Sequence, residues 1–147
     1  MISVIVTASD DAKALARLLT ALVPAAAEGL VREVAVVGAR GVAAEVADDC
    51  GARLYATFGE AMAGARSGWI AGLALGAALT PDWMDVVAEH LREDPARPAR
   101  LTTRSFSLGG PAGWLVPKAQ APSVGAAEQD LQRVARRGRR LRILDRR

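Results

Sequence analysis

The chain has 147 residues, 51% of them hydrophobic and 24% charged, which suits one globular domain with one core. Its longest apolar runs fall short of the roughly 20 residues that a membrane span needs. Its opening residues predict a strand rather than a signal peptide. One cysteine excludes an internal disulfide, and a single histidine argues against a Cys/His metal site, so we expect a reducing, cytoplasmic setting.

The formal net charge of +3 is unevenly distributed, because residues 133–147 (RVARRGRRLRILDRR) hold many of the arginines. Such a segment can bind nucleic acid or an anionic membrane surface. It can equally be a solvated amphipathic helix with Leu131, Val134 and Leu141 facing inward. No aromatic residue follows Trp114 to stack on bases, which argues against nucleic acid and favours the helix.

The first part of the chain alternates apolar strand-like runs with helical periods. Such alternation over short connections predicts βαβ units and a mostly parallel sheet, with the first strand central and the strand order 3-2-1-4. Thr80 is expected to cap the fourth helix, with Pro81 at its first helical position. The predicted strands are 2–7, 31–37, 52–55 and one from residue 69, and the predicted helices run from residues 8–11 to near Pro24, over 42–49, over 58–66 and from Pro81.

The pattern weakens after Asp94. Gly138 is expected to end the last helix. Neither an internal repeat nor a low-complexity linker interrupts the sequence, so we predict a single domain over 1–147. The predicted elements are a loop over 97–100, a strand over 101–108, a turn over 109–111, a strand over 114–116, a helix over 125–137 and a last strand over 141–144.

Candidate ligand-binding residues follow the predicted strands, because open α/β sheets bind ligands at the turns after their strands. The first turn offers Asp10 and Asp11, although Asp10 can instead cap the helix and Asp11 complement its dipole. The second turn, Gly-Ala-Arg-Gly from Gly38, is not GxGxxG but can cradle a phosphate next to Arg40.

The last predicted helix begins with two acids, Glu128 and Asp130. Each is a candidate general base, and each also complements the positive end of the helix dipole. His90 is expected at the surface near a helix C-terminus, so no Ser or Cys has a base partner. The tryptophans at 69, 83 and 114 are expected to pack in the core rather than stack on sugars.

The order and spacing of these segments resemble the family 2 glycosyltransferases. The resemblance implies a GT-A fold, which is a Rossmann-like three-layer α/β sandwich with a mostly parallel central sheet. It also implies nucleotide-sugar chemistry. The matching segments are SVIVTASDDAKAL (3–15), EVAVV (33–37), AAEVADDCGARLY (43–55), GEAMAGARSGWIAGLALGAALTPDW (59–83), AGWLVPKA (112–119) and AEQDLQRVARRGRRLRIL (127–144).

The first departure from the family pattern concerns its metal site. In the family, an Asp-x-Asp turn coordinates a divalent metal that neutralises the nucleotide diphosphate. By spacing that turn falls on Ala74, Leu75 and Gly76, which supply none of the oxygen ligands that hard cations need. We therefore expect no metal and no other cofactor.

The remaining site positions are carried over by the same resemblance. The Asp that contacts the nucleoside falls on Gly38, which has no carboxylate, and the loop after it is shortened; this is a second departure from the family pattern. The family's base falls on Glu128, with Asp130 after it. Asp10, Asp11 and Arg40 then belong to the nucleotide side of the site.

Three functions stay open. The first is a degenerate homologue, metal-independent or inactive, that acts by binding a nucleotide-sugar or a protein partner. The second is an active metal-independent glycosyltransferase in which Arg40 or the C-terminal arginines neutralise the diphosphate. The third is a basic α/β module for nucleic acid or anionic surfaces. The apolar run Leu75–Leu79 is expected either to be plugged by the chain itself or to form a homodimer.

Overall fold

The structure is a computed structural model that describes residues 1–103, 113–122 and 127–145. The described strands are β1 (Ile2–Thr7), β2 (Val31–Val37), β3 (Arg53–Tyr55), β4 (Trp69–Leu73), β5 (Ala78–Leu79), β6 (Ala99–Thr103), β7 (Gly113–Pro117) and β8 (Arg139–Asp145). The described α-helices are α1 (Ala12–Ala27), α2 (Val42–Asp49), α3 (Phe58–Gly64), α4 (Trp83–Glu93) and α5 (Glu128–Arg136), with a 3₁₀ turn at Lys118–Gln120. None of these helices is long and apolar enough to cross a membrane.

The strands form one sheet in the order β3-β2-β1-β4-β7-β6-β8-β5. Strand β1 is parallel to β2 and to β4, β2 is parallel to β3, and β6 is parallel to β8. The pairs β4–β7, β6–β7 and β5–β8 are antiparallel. The predicted order 3-2-1-4 and the predicted α/β class with a mostly parallel sheet are therefore confirmed.

Helices cover both faces of the sheet because successive residues of each buried strand point to opposite sides. Val4 and Val6 of β1 face the cluster that includes α1, α2 and α4. Ile5 faces the second cluster, with α3 and α5. The predicted core role of the three tryptophans is confirmed, since Trp69, Trp83 and Trp114 are 9%, 7% and 1% exposed.

Two predicted helix boundaries are wrong. Helix α1 does not end near Pro24 but continues to Ala27, because Leu22 and Ala25 on either side of the proline are both buried. Helix α4 begins at Trp83, so Thr80 is not its N-cap. The Thr80 N–H instead donates to the Ile143 carbonyl oxygen at 2.8 Å, which keeps the chain extended beyond β5.

The C-terminal part contains more strand than expected. Strand β6 begins at Ala99, inside the predicted loop, because the Arg139 N–H donates to the Pro98 carbonyl oxygen and starts the β6–β8 pairing. Leu141 faces the core from strand β8 rather than from a helix. The predicted strand over 101–108 is confirmed as far as Thr103. Its remainder, the turn over 109–111 and the helix residues 125–126 lie outside the described residues.

Candidate functional site

The carboxyl ends of β1, β2 and β4 meet at one edge of the sheet, because these three strands are parallel neighbours. We call this side the strand-end edge; it carries the turns 8–11, 38–41 and 74–77. Strand β7 runs antiparallel to β4, so Trp114 near its start also lies there. Open α/β sheets bind their ligands at such an edge.

The first two turns are tied to each other by backbone hydrogen bonds. The Ala8 N–H donates to the Val37 carbonyl oxygen at 2.9 Å, and the Arg40 N–H donates to the Ser9 carbonyl oxygen at 3.2 Å. Gly38 has a φ of 74°, and a Cβ there would lie 3.2 Å from the Ala8 carbonyl oxygen, so this close approach favours glycine. The backbone of Arg40 is therefore held beside the end of β1, and its side chain is exposed.

The two aspartates of the first turn have different roles from those expected of them. Asp11, not Asp10, is the N-cap of α1, and its Oδ1 accepts a hydrogen bond from the Ala14 N–H at 3.1 Å. Asp10 lies one residue before the N-cap position, so it does not cap α1. Its exposed carboxylate forms no hydrogen bond or ion pair within the described ranges, so it is the acid of this turn that can meet a ligand.

The turn after β4 carries no side-chain oxygen. The Ala77 N–H donates to the Ala74 carbonyl oxygen at 2.9 Å, which closes a four-residue turn. Gly76 is exposed, and no atom lies within 4 Å of the place a Cβ would take. Among the residues that the structure describes, no group of three or more His, Cys, Asp or Glu side chains could hold a metal. The turn after β4 therefore offers no side-chain oxygen that could hold a hard divalent cation.

The apolar run Leu75–Leu79 is covered by the chain itself. Leu75 and Leu79 are partly buried against the core, and Ala77 is 6% exposed. Strand β5 within this run pairs with β8, whose Leu144 is fully buried. The expectation that the chain plugs this face agrees with the structure, while a homodimer through it stays a prediction.

Glu128 lies at the strand-end edge, at the first residue of α5. Its Oε1 accepts a hydrogen bond from the indole N–H of Trp114 at 3.3 Å, and its Oε2 lies 3.5 Å from the Thr7 hydroxyl, which donates to it. The side chain is half-buried. This candidate base is therefore held next to the end of β1, among the turns that the sequence assigned to the nucleotide.

The indole that contacts Glu128 occupies space that Gly72 leaves open. A Cβ on Gly72 would lie 2.0–2.4 Å from three atoms of the Trp114 ring. Sequence reasoning placed Trp114 in the core but missed its contact with Glu128. A glycine inside a central strand was the available signal, since it often marks a close approach by another group.

Asp130 contacts the start of its own helix rather than Trp114 or Thr7. Its Oδ2 accepts a hydrogen bond from the Ala127 N–H at 3.0 Å, and its Oδ1 lies 3.8 Å from a guanidinium nitrogen of Arg133. These contacts stabilise the start of α5, as expected for an acid in the first turn of a helix. The geometry supports the helix-terminus role of Asp130 rather than that of a base.

His90 is not at the surface, and that prediction is wrong. The side chain is 1% exposed, its Nε2 lies 2.8 Å from the Arg97 carbonyl oxygen, and its ring meets Trp69 edge to face at 5.8 Å. Helix α4 buries Trp83, Val87 and His90 on one face, because residues three and four apart share a face of a helix. His90 is a packing residue away from the strand-end edge.

Glu33 is a half-buried acid that sequence reasoning did not single out. Its Oε1 accepts hydrogen bonds from the Ser3 hydroxyl at 2.8 Å and the Arg66 N–H at 2.6 Å. Burial alone would raise the pKa of this carboxyl, but these two hydrogen bonds and the charges of Arg53 and Arg66 together hold the pKa below its ordinary value. Ser3 lies near the start of β1, so this acid stabilises the fold away from the strand-end edge.

The chain is similar to known proteins in structure rather than in sequence. No protein-family model and no curated protein matches it. Its structure is similar to S. aureus TarS 1–349, with a TM-score of 0.70 and 12% identity over 98% of this chain and 59% of that one. It is also similar to Mycobacterium tuberculosis glucosyl-3-phosphoglycerate synthase in complex with Mn²⁺, UDP and glucosyl-3-phosphoglycerate, with a TM-score of 0.68 and 14% identity over 100% and 72% of the two chains.

A third similar structure is mannosyl-3-phosphoglycerate synthase from Rubrobacter xylanophilus, with a TM-score of 0.63 and 13% identity over 81% of this chain and 54% of that one. The chain thus spans less than two thirds of the TarS fragment and of this synthase. At such identities the likeness shows the fold alone. The chain has the fold of the GT-A glycosyltransferases, as the sequence resemblance implied.

Proposed function

We propose that the protein is a degenerate glycosyltransferase homologue that binds a nucleotide-sugar without a divalent cation and acts by binding rather than by sugar transfer. The observation that carries this proposal is the turn after β4, where Ala74, Leu75 and Gly76 supply no metal ligand at the strand-end edge. The fold supports the nucleotide-sugar part, since a structure with this fold holds Mn²⁺ and UDP.

The missing carboxylates weaken catalysis more than they weaken binding. A divalent cation acts as a Lewis acid that supplies several kcal/mol of transition-state stabilisation when a diphosphate leaves. Each 1.36 kcal/mol corresponds to about tenfold in rate, so losing even part of this term lowers turnover by roughly hundreds-fold or more. Ground-state binding of the nucleoside and sugar does not depend on that term.

The first two turns supply the groups that we assign to the nucleotide. Arg40 is exposed beside the end of β1 and can donate two parallel hydrogen bonds to a phosphate. Asp10 is the exposed carboxylate of the neighbouring turn. Backbone hydrogen bonds join the two turns, so the backbone positions of Asp10 and Arg40 are fixed relative to each other.

A second candidate function is an active, metal-independent glycosyltransferase. Glu128 favours it, because this half-buried carboxylate is held at the strand-end edge by Trp114 and Thr7. A general base must reach the proton of the acceptor hydroxyl, and a fixed carboxylate at this edge can do so. In this case Glu128→Gln would abolish transfer and leave nucleotide binding intact, whereas the degenerate homologue shows no transfer in either form.

The test restores the missing carboxylates. We expect the purified Ala74→Asp/Gly76→Asp variant to gain manganese-dependent binding of UDP-glucose, at least tenfold tighter with MnCl₂ than with EDTA in calorimetric titrations. The matched control is Ala26→Asp/Ala27→Asp, which adds the same charge at the exposed C-terminal end of α1, near the amino ends of β1 and β2 and away from the strand-end edge. No gain in the first variant, or an equal gain in the control, would contradict the placement of the site.

A further inference from the structure

Three arginines lie on one face of strands β6 and β8. In the parallel register Arg100 pairs with Arg140, and the next outward position pairs Thr102 with Arg142. Residues paired in this way point to the same side of a sheet. The alternate positions Leu101 and Leu141 are buried on the other side, so Arg100, Arg140 and Arg142, which we call the arginine trio, share the face on which α5 packs.

The arginine trio concentrates positive charge in a small area. Neighbouring strands lie about 4.8 Å apart, and residues two apart on a strand are about 6.6 Å apart, so the three Cα atoms fall within roughly 8 Å of one another. Arg140 and Arg142 are exposed and Arg100 is half-buried. Like charges directly opposite each other in a sheet are destabilising, so this arrangement favours an anion.

Nearby arginines have carboxylate partners, whereas the trio has none. Arg97, Arg133 and Arg139 lie 4.0, 3.8 and 3.4 Å from Asp94, Asp130 and Glu93. In the described part of the chain, no hydrogen bond or ion pair involves a guanidinium of the trio. Helix α5 adds a further positive charge, Arg136. Strand β8 ends in Asp145, which lies beyond the point where the β6–β8 register shifts, and Asp145 forms no ion pair with the trio.

We propose that the arginine trio binds a phosphate group of a small anionic ligand. Guanidinium groups match phosphate oxygens in paired, fork-like hydrogen bonds, and three of them within this span can surround one phosphomonoester or diphosphate. The exposed large hydrophobic side chains of the described ranges, Met1, Val23, Val42 and Leu54, lie on other elements, which argues against a membrane surface. The proposal does not rest on the nucleotide-sugar proposal, because it depends on the charges of β6 and β8 and on none of the turns 8–11, 38–41 and 74–77. Arg100 is the member of the trio next to β7, where it pairs with Trp114.

The test compares two triple variants that lose the same charge. Arg100→Gln/Arg140→Gln/Arg142→Gln removes the trio, and Arg97→Gln/Arg133→Gln/Arg139→Gln removes the paired arginines. We expect inorganic phosphate and pyrophosphate to bind saturably to the wild type and the second variant, and at least tenfold more weakly to the first. Should the first variant fold poorly by circular dichroism, the single exposed change Arg142→Gln is expected to weaken binding three- to tenfold.

A control variant and the choice of ligands test where the anion binds and whether it is a free phosphate or a lipid headgroup. The exposed single change Arg17→Gln, on α1, should leave phosphate binding by the trio unchanged. Equal weakening in both triple variants would overturn the proposal, because it would show only a general effect of positive charge. Absence of saturable binding would overturn it too, as would binding only to phosphatidylglycerol vesicles and not to the free phosphates.

Discussion

Replacing Gly72 with alanine should lower the free energy of unfolding, because the added methyl group would collide with a buried indole ring. A Cβ on Gly72 would lie 2.0 Å from Cε2 of Trp114, whereas carbon atoms pack best at about 3.5–4.0 Å. The ring must therefore retreat by about 1.5 Å. It is 1% exposed and lies edge to face against Phe58, with ring centroids 6.1 Å apart, so it has little room to move.

The expected loss of stability is about 3 kcal/mol. Overpacking a buried site costs about 1–3 kcal/mol. Moving the indole also breaks its hydrogen bond to Glu128, for a net loss of about 1 kcal/mol. The entropy that alanine removes from the unfolded chain offsets less than about 1 kcal/mol. For a chain of this length, that total lowers Tm by roughly 6–12 °C.

Urea denaturation followed by tryptophan fluorescence measures this loss of stability. The control is Gly76→Ala, since no atom lies within 4 Å of that Cβ, and we expect its stability to stay within about 1 kcal/mol of wild type. In the double variant Gly72→Ala/Trp114→Leu, the two losses should be less than additive because the clash is gone. Equal stability of Gly72→Ala and Gly76→Ala would show that the Trp114 ring does not fill the space beside Gly72.

Three further predictions concern stability. Asp11→Ala should lose about 1 kcal/mol in urea denaturation because it removes the N-cap hydrogen bond of α1, while Asp10→Ala should not; equal losses would contradict the cap assignment. The pKa of Glu33 lies below its ordinary value of 4.5, so its ionised form stabilises the fold fully above that pH and less as the pH falls towards the folded-state pKa. The difference in free energy of unfolding between wild type and Glu33→Gln should therefore shrink below about pH 4.5. A difference that does not change with pH would contradict this prediction. Gly138→Ala should be strongly destabilised in thermal unfolding, since its Cβ would collide with the backbone carbonyl of Pro98, and a wild-type Tm would contradict that contact.

The order of the first four strands could be predicted because their apolar runs are long and buried. Residues 2–6 and 69–73 are buried at every position, which is typical of central parallel strands. Strand β8 was only partly predicted, because exposed arginines alternate with Leu141 and Ile143 next to a helix of similar composition. Strand β5 is two residues long and exists through its pairing with β8, so local sequence gives no signal for it.

The candidate site could be located from the sequence, but its contacts could not. The rule that ligands bind at strand ends pointed to Asp10 and Arg40, and the family resemblance added Glu128. All three lie at the strand-end edge. The contact between Glu128 and Thr7 joins residues 121 positions apart, so only the folded chain reveals it. His90 could have been assigned correctly, since it lies seven and three residues after the buried Trp83 and Val87, on the same face of α4.

The central claim is that nucleotide-sugar binding does not need a divalent cation. Calorimetric titration of UDP-glucose into the wild-type protein, once with MnCl₂ and once with EDTA, tests it most directly. We expect saturable binding with the same Kd in both buffers, within about threefold, because Ala74, Leu75 and Gly76 after β4 carry no side-chain oxygen that could hold a metal. Binding that is tenfold or more tighter with manganese, and that Asp10→Ala abolishes, would show instead that the protein has a metal-dependent nucleotide site.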